Sequence, residues 1–142
     1  MSPNLTMSNE LSDEDIEKIH SNLSHFNAER SDGLSRDPGI SIQLVLKDDN
    51  GEIQGALWGR AIYKSFMIDV LWIAEDYRDR GNGGRLVANA EKVAKEHGCI
   101  SAQTSTYSFQ APEFYRGLGY ELFGKFEGYP SNIKKYYFGK TL

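Results

Sequence analysis

Asp69-Val70-Leu71-Trp72-Ile73-Ala74-Glu75-Asp76-Tyr77-Arg78-Asp79-Arg80-Gly81-Asn82-Gly83-Gly84-Arg85-Leu86-Val87 is the stretch on which the reading of this 142-residue chain turns. An apolar run ends at Ile73, a short acidic link follows, and Arg78-x-x-Gly81-x-Gly83 opens an amphipathic helix. Glycine has no Cβ to block close approach to its backbone. Glycines at a helix start therefore expose N–H groups that lack an intrahelical acceptor, and the helix dipole favours an anion beside them. A strand leading into such a turn is a candidate phosphate cradle, although a glycine-rich turn can also be only a turn. A dinucleotide fingerprint does not fit, because its third glycine would fall on Leu86 and its link to the strand is tighter. The full P-loop pattern Gly-x-x-x-x-Gly-Lys-Ser/Thr is absent.

Outward from this stretch, the helical face Leu86, Val87, Ala90, Val93 and Ala94 closes at Gly98, and Cys99 to Thr104 reads as the next strand. Strand–helix–strand implies a parallel pair with a right-handed crossover. Upstream, Ile40 to Leu46 alternates as a strand, and Asp48-Asp49-Asn50-Gly51 is a hairpin turn. A return strand from Glu52 to about Tyr63 and a tight connection at Lys64-Ser65 lead into Phe66–Ile73, a three-strand antiparallel meander. Phe66–Ile73 is nearly continuously apolar, as in a strand buried on both faces, and Asp69 interrupts it. Ser12 before Asp13-Glu14-Asp15 caps a helix over roughly 13–27, whose narrow stripe of Ile16, Ile19, Leu23 and Phe26 suits a sheet face. Leu5 and Met7 suggest a short edge strand, and 27–39 reads as a loop. Ser108 to Arg116 reads as a short helix with Pro112 in its first turn, followed by strands near 120–126 and 134–140.

Composition sets the outer bounds. Hydrophobic residues at 39% and charged residues at 25% are ordinary for a soluble globular chain, and the length suits a single domain over 1–142. No apolar run approaches the roughly 18 residues of a membrane span. The first residues lack the parts of a signal peptide, and Cys99 is the lone cysteine, so a cytoplasmic protein without a disulfide is expected. A net charge of −4 argues against general nucleic-acid binding. His20, His25 and His97 have no second ligand at metal spacing, so no metal site is expected.

The decisive segment is Ser108-x-x-Ala111-x-x-Phe114-Tyr115-x-x-x-Gly119-Tyr120, one helix and one strand beyond the glycine turn. It resembles the pattern Asn-x-x-Ala-x-x-Leu/Phe-Tyr-x-x-x-Gly-Phe/Tyr of the GCN5-related N-acetyltransferases (GNAT). Arg78-x-x-Gly81-x-Gly83 resembles that family's Arg/Gln-x-x-Gly-x-Gly/Ala acyl-CoA motif. Two motifs in the right order are a specific signal. The likeness covers roughly 40–142 well, and Ser-Phe-Gln-Ala-Pro-x-Phe-Tyr is similar to a string in small bacterial acetyltransferases. Ser108 departs from the usual Asn, which bears on one cofactor contact.

The resemblance implies a mixed α/β GNAT fold. Its central twisted mixed sheet would have six to seven strands, helices on both faces and a splayed cofactor groove. Acetyl-CoA would be the co-substrate, its pantetheine pairing with backbone near Leu71, Trp72 and Ile73. Its pyrophosphate would lie on N–H groups of Arg80, Gly81, Asn82, Gly83 and Gly84, helped by the Arg78 and Arg80 side chains, with Ser108 at a further contact. Tyr115 falls on the position of the general acid, and the alternative is a core tyrosine beside Phe114. Asp69 is the candidate base because a charge within an apolar strand needs a reason, the alternative being an ion pair with Arg60. Family members often carry the base where this chain has Met67. The expected reaction moves an acetyl group to a primary amine of a small molecule. A protein or peptide acceptor and a non-catalytic acyl-CoA-binding module stay open, as does a homodimer built on the C-terminal strands. Trp58, Tyr63, Trp72, Tyr107 and Phe109 are candidate walls of an acceptor pocket, or core residues.

Overall fold

A computed structural model describes residues 4–142. Its contacts divide the chain into a unit ending at Asp37 and a unit spanning Pro38–Leu142.

In the first unit, α1 (Asp13–Arg30) begins at a reciprocal capping box. The Asp15 N–H donates to Ser12 Oγ at 3.1 Å, and the Ser12 N–H donates to the Asp15 carboxylate at 3.3 Å. These bonds satisfy donors that have no helical acceptor. The helix runs one turn past its expected end, with the Arg30 guanidinium 4.0 Å from the Phe26 ring centroid. The remaining loop tightens into a 3-10 turn at Leu34–Arg36. Residues 4–10 form no strand, so the expected edge strand at Leu5 and Met7 is absent.

The second unit holds a six-stranded sheet in the order β1-β2-β3-β4-β6-β5. The strands are β1 (Ile40–Lys47), β2 (Ile53–Ile62), β3 (Ser65–Ile73), β4 (Ser101–Tyr107), β5 (Glu121–Phe126) and β6 (Lys135–Thr141). Between β3 and β4 runs α2 (Asn82–Glu96), and between β4 and β5 runs α3 (Pro112–Gly117). Only β3 and β4 pair in parallel, as a helical crossover requires. Asp48 organises the first hairpin, accepting from the N–H groups of Asn50 and Glu52 at 2.9 and 3.0 Å and from Gln54 Nε2 at 2.9 Å. The second hairpin turns on Tyr63 and Lys64, both at positive φ, one residue earlier than expected.

The core lies between α2 and one face of the sheet. Leu86, Val87, Ala90 and Ala94 are the buried stripe of α2, and Leu57, Phe66, Val87 and Phe138 are the largest fully enclosed side chains. Burying each such residue contributes about 1.5–3 kcal/mol.

The register of β3 carries the feature that makes the site. Gly55, Leu57, Gly59 and Ala61 of β2 stand opposite Ile73, Leu71, Ile68 and Phe66. A step of two residues on β2 thus meets a step of three on β3 between Ile68 and Leu71. The extra residue is Asp69, which has no partner on β2. This is a β-bulge, which bends its strand and increases local twist. The parallel pairing with β4 stops at the same point, with Ile68 opposite Thr104, although both strands continue. Beyond it β3 stays with β2, and β4 stays paired with β6 as far as Tyr107–Lys135. The sheet therefore splits into two arms. The expectation that β3 is buried on both faces does not hold, since Asp69 and Trp72 are exposed.

Candidate active site

Between the diverging arms lies a groove of about 600 Å³. That volume suits one extended small molecule. One wall is Asp69, Leu71 and Ile73 of β3, the other is Thr104, Ser105 and Thr106 of β4, and its ends are closed by the start of α2 and by α3.

At the start of α2, Gly81 is the N-cap with φ +82°, a left-handed conformation that favours glycine, and no side chain caps the helix. Arg85 N–H makes the first helical bond, to Gly81 O at 3.0 Å. The N–H groups of Asn82, Gly83 and Gly84 precede it and face the general shortage of acceptors at a helix start. Two side chains hold this turn in place. Arg78 Nε donates to Ile73 O at 2.8 Å, and Asn82 Nδ2 donates to Tyr77 O at 2.9 Å. Both bonds use one donor, leaving the terminal guanidinium nitrogens of Arg78 at the groove wall. An anion is the natural complement of this end.

The other two glycines have a second use. A Cβ on Gly83 would lie 2.9 Å from Phe114 Cζ, and one on Gly84 would lie 3.4 Å from Leu118 Cδ2. These glycines let α3 pack on the first turn of α2, which brings Tyr115 to the groove.

Tyr115 is 7% exposed, with Phe114, Tyr120 and Phe138 rings 5.1, 5.7 and 5.9 Å from its own. Burial pushes its phenol above the ordinary tyrosine range, with the neighbouring Thr104 opposing the shift in part. Thr104 Oγ1 donates its proton to Ile68 O at 3.1 Å, where the two arms part. The tyrosine is thus both a core residue and a groove residue.

Asp69, as the bulge residue, lines the groove and has no hydrogen bond or ion pair among the described residues. Arg60, its expected partner in the structural reading, stands opposite Met67 instead. A carboxylate with no other partner, facing the same groove as a protonated phenol, supplies the two ends of a proton-transfer reaction.

Leu71, Ile73, Arg78, Gly81, Asn82, Gly83 and Gly84 all line the groove with Tyr115 and Asp69. Trp72, Arg80 and Ser108 do not. Trp72 alternates to the other side of β3 and is 46% exposed. Ser108 is committed elsewhere, since its N–H donates to Lys134 O at 2.8 Å and its Oγ accepts from Lys134 N–H at 3.0 Å. That reciprocal clasp secures the loop before β6. Sequence reasoning passed over Thr104, Thr106 and Gln110, of which only Gln110 lies within a motif it had singled out.

Tyr107 and Phe109 stack with centroids 5.5 Å apart, and Tyr129 meets Tyr107 edge-on at 5.6 Å. None of Trp58, Tyr63, Tyr107, Phe109 and Tyr129 lines the groove. Among the described residues no group of three or more His, Cys, Asp or Glu is placed to hold a metal, and no helix is long and apolar enough to cross a membrane.

A sheet split into two arms, with a glycine-started helix at the end of one, is the splayed groove that the sequence motifs had implied. The acetyltransferase (GNAT) family model matches residues 6–120, and the chain belongs to that family. A blasticidin-S acetyltransferase of Streptomyces morookaense is 39% identical over 95 residues, spanning 66% of this chain and 70% of the relative. The crystal structure of an acetyltransferase from Bacillus cereus ATCC 14579 superposes with a TM-score of 0.86 at 31% identity, covering 96% of this chain and 98% of that one. An aminoglycoside 6'-N-acetyltransferase complexed with coenzyme A is similar in fold, with a TM-score of 0.64 at 18% identity over 93% and 95% of the two chains. The chain is an N-acetyltransferase of mixed α/β fold.

Proposed function

We propose that this acetyltransferase moves the acetyl group of acetyl-CoA to a primary amine on a small molecule, with Asp69 as general base and Tyr115 as general acid. The observation that carries the reading is their shared groove: a carboxylate without another partner and a buried phenol beside the same parting of strands. Acetyl-CoA suits that groove chemically. Past Ile68 the β4-facing edge of β3 has no strand partner, so backbone groups of Leu71 are available to the amides of pantetheine, while Ile73 O already accepts from Arg78 Nε. The first amides of α2 and the free end of Arg78 match the pyrophosphate. A structural neighbour of the same fold was crystallised with coenzyme A, which supports the assignment.

The reaction follows from the proton inventory. An ammonium gives a proton to Asp69, directly or through a water. The freed amine attacks the thioester carbonyl, forming the C–N bond, and the surplus proton on its nitrogen passes to solvent. As the C–S bond breaks, Tyr115 O–H protonates the departing sulfur, and the tyrosinate is reprotonated from solvent. A phenol kept neutral by burial holds the required proton at neutral pH.

A small, amine-bearing acceptor is favoured by the relative named for blasticidin S. Tyr107, Phe109 and Tyr129 at the end of the β4 arm offer flat apolar contact for it. The test is thiol release from acetyl-CoA across a panel of aminated antibiotics, polyamines and peptides. Turnover concentrated on small amines is expected. Turnover on peptides alone would overturn the small-molecule reading.

A further inference from the structure

We infer that Gln110 is a cofactor-binding residue, whose side-chain amide donates to a carbonyl of the pantetheine arm from the β4 side of the groove. This rests on the acetyl-CoA reading above and adds to it a residue outside both acyl-CoA contacts the motifs suggested.

The two ends of a glutamine side chain are told apart by their partners. Here the partner is a backbone N–H, which can only donate. Tyr107 N–H points at the Gln110 side chain at 2.8 Å, so the facing atom is the oxygen, Oε1. Thr106 Oγ1 donates to the same oxygen at 3.0 Å. A carbonyl oxygen has two lone pairs, and both are now used. The orientation is therefore fixed from two directions, and the Nε2 group is carried on a rigid support. Its two N–H donors have no protein acceptor among the described residues. Gln110 lines the groove beside Thr106 and Ala111.

What those donors meet follows from the layout of the arms. The β3 arm presents backbone groups, and the α2 end presents positive potential and Arg78. An anion is matched there. The β4 arm past Thr104 presents hydroxyl side chains and one neutral amide. A neutral donor is the complement of a neutral carbonyl, and an extended chain lying between the arms carries such carbonyls in its two amide units. Ser108, at the position where Asn is usual, does not line the groove and is clasped to Lys134. Gln110 lies two residues further along, with its polar end unspent.

Gln110→Glu separates binding from scaffolding. Glutamate keeps oxygens to accept from Tyr107 N–H and Thr106 Oγ1, so the loop stays anchored, but the donor nitrogen is replaced by an oxygen. Calorimetry with acetyl-CoA and with S-acetylpantetheine, which has no phosphates, is the measurement. Both affinities are expected to fall about tenfold or more at an unchanged urea midpoint. Wild-type affinity for both ligands would overturn the inference. So would a loss confined to acetyl-CoA, which would report charge repulsion with the pyrophosphate. If the variant does not fold, the Gln110 side-chain NH₂ resonance of the wild-type protein serves instead. S-acetylpantetheine should shift it, and an unmoved resonance at saturation would overturn the contact. Wild type that binds neither compound would remove the acetyl-CoA reading itself, a result distinct from failure of Gln110 alone.

Discussion

Tyr115 shows how one residue can fill the core and line the groove together. Its ring fills the space between Phe114, Tyr120 and Phe138, while its edge lines the groove. Tyr115→Phe keeps the ring and removes the proton. Turnover should fall by about 10²–10⁴-fold, roughly 3–5 kcal/mol of barrier. Acetyl-CoA affinity measured by calorimetry should hold. A loss below about threefold would take Tyr115 out of the mechanism. Because burial raises its pKa, deprotonation of this acid should not limit turnover below about pH 10, the ordinary tyrosine value. Asp69→Asn should lower turnover by a similar factor while leaving the melting temperature within a degree or two, since no partner is lost. A large drop in stability with turnover retained would restore the structural reading. The prominence of both positions was legible in the sequence, Tyr115 from its motif and Asp69 from its misfit in an apolar run, and both line the groove. The part proposed for Gln110 was not, because it depends on which of its two polar ends the loop consumes. Ser108, an expected cofactor contact, lies off the groove wall, clasped to a residue far along the chain.

At the scale of elements, the seam between α2 and α3 determines whether the groove closes properly. Gly83 reads in the sequence as a phosphate-cradle residue, yet its missing Cβ is also what admits Phe114. Gly83→Ala should destabilise the protein by about 1–3 kcal/mol through overpacking, read as a lower urea midpoint. Phe114→Leu in the same chain should recover part of that loss, because contacting residues couple. Purely additive effects would show that the seam is not where the strain goes. A consequence is that bulky substitutions at Gly83 do not isolate phosphate binding. Element order was legible because strand alternation and helical spacing are local patterns. Boundaries drifted where the decisive contact was distant. α1 runs on to Arg30, and α3 starts only at Pro112 because Ser108 to Ala111 is drawn into the clasp with Lys134 and the turn on Gln110. The order in which β6 inserts between β4 and β5 has no local signature at all.

For the molecule as a whole, the polar knot of Tyr120, Glu91 and Lys140 ties α2, the end of α3 and β6 together. Tyr120 O–H donates to Glu91 at 3.1 Å, and Lys140 Nζ donates to Glu91 at 3.1 Å and to Leu118 O at 2.9 Å. Burial, and then the neighbouring Glu91 charge, push the Tyr120 phenol far above its ordinary range. A raised folded-state pKa means the native state holds its proton more tightly than the unfolded chain. Stability from Tyr120, with Tyr115 acting in the same sense, is then complete below about pH 10 and lost as pH rises above it. Urea midpoints should hold up to about pH 9.5 and fall as pH rises beyond about 10, and Tyr120→Phe should flatten that fall. An equally steep fall in the variant would exclude Tyr120 as its source. The bulge at Asp69 also acts on the whole sheet, as a reading frame acts on a message. Substituting Asp69 changes one functional group, but pairing it with β2 as an ordinary residue would shift the phase of everything after it. Phe66, Ile68, Val70 and Trp72 would then alternate on one face, exchanging Leu71 and Ile73 for a tryptophan. Deleting Asp69 would instead leave Phe66, Ile68, Leu71 and Ile73 in phase and remove the bulge, and with it the bend that parts β3 from β4.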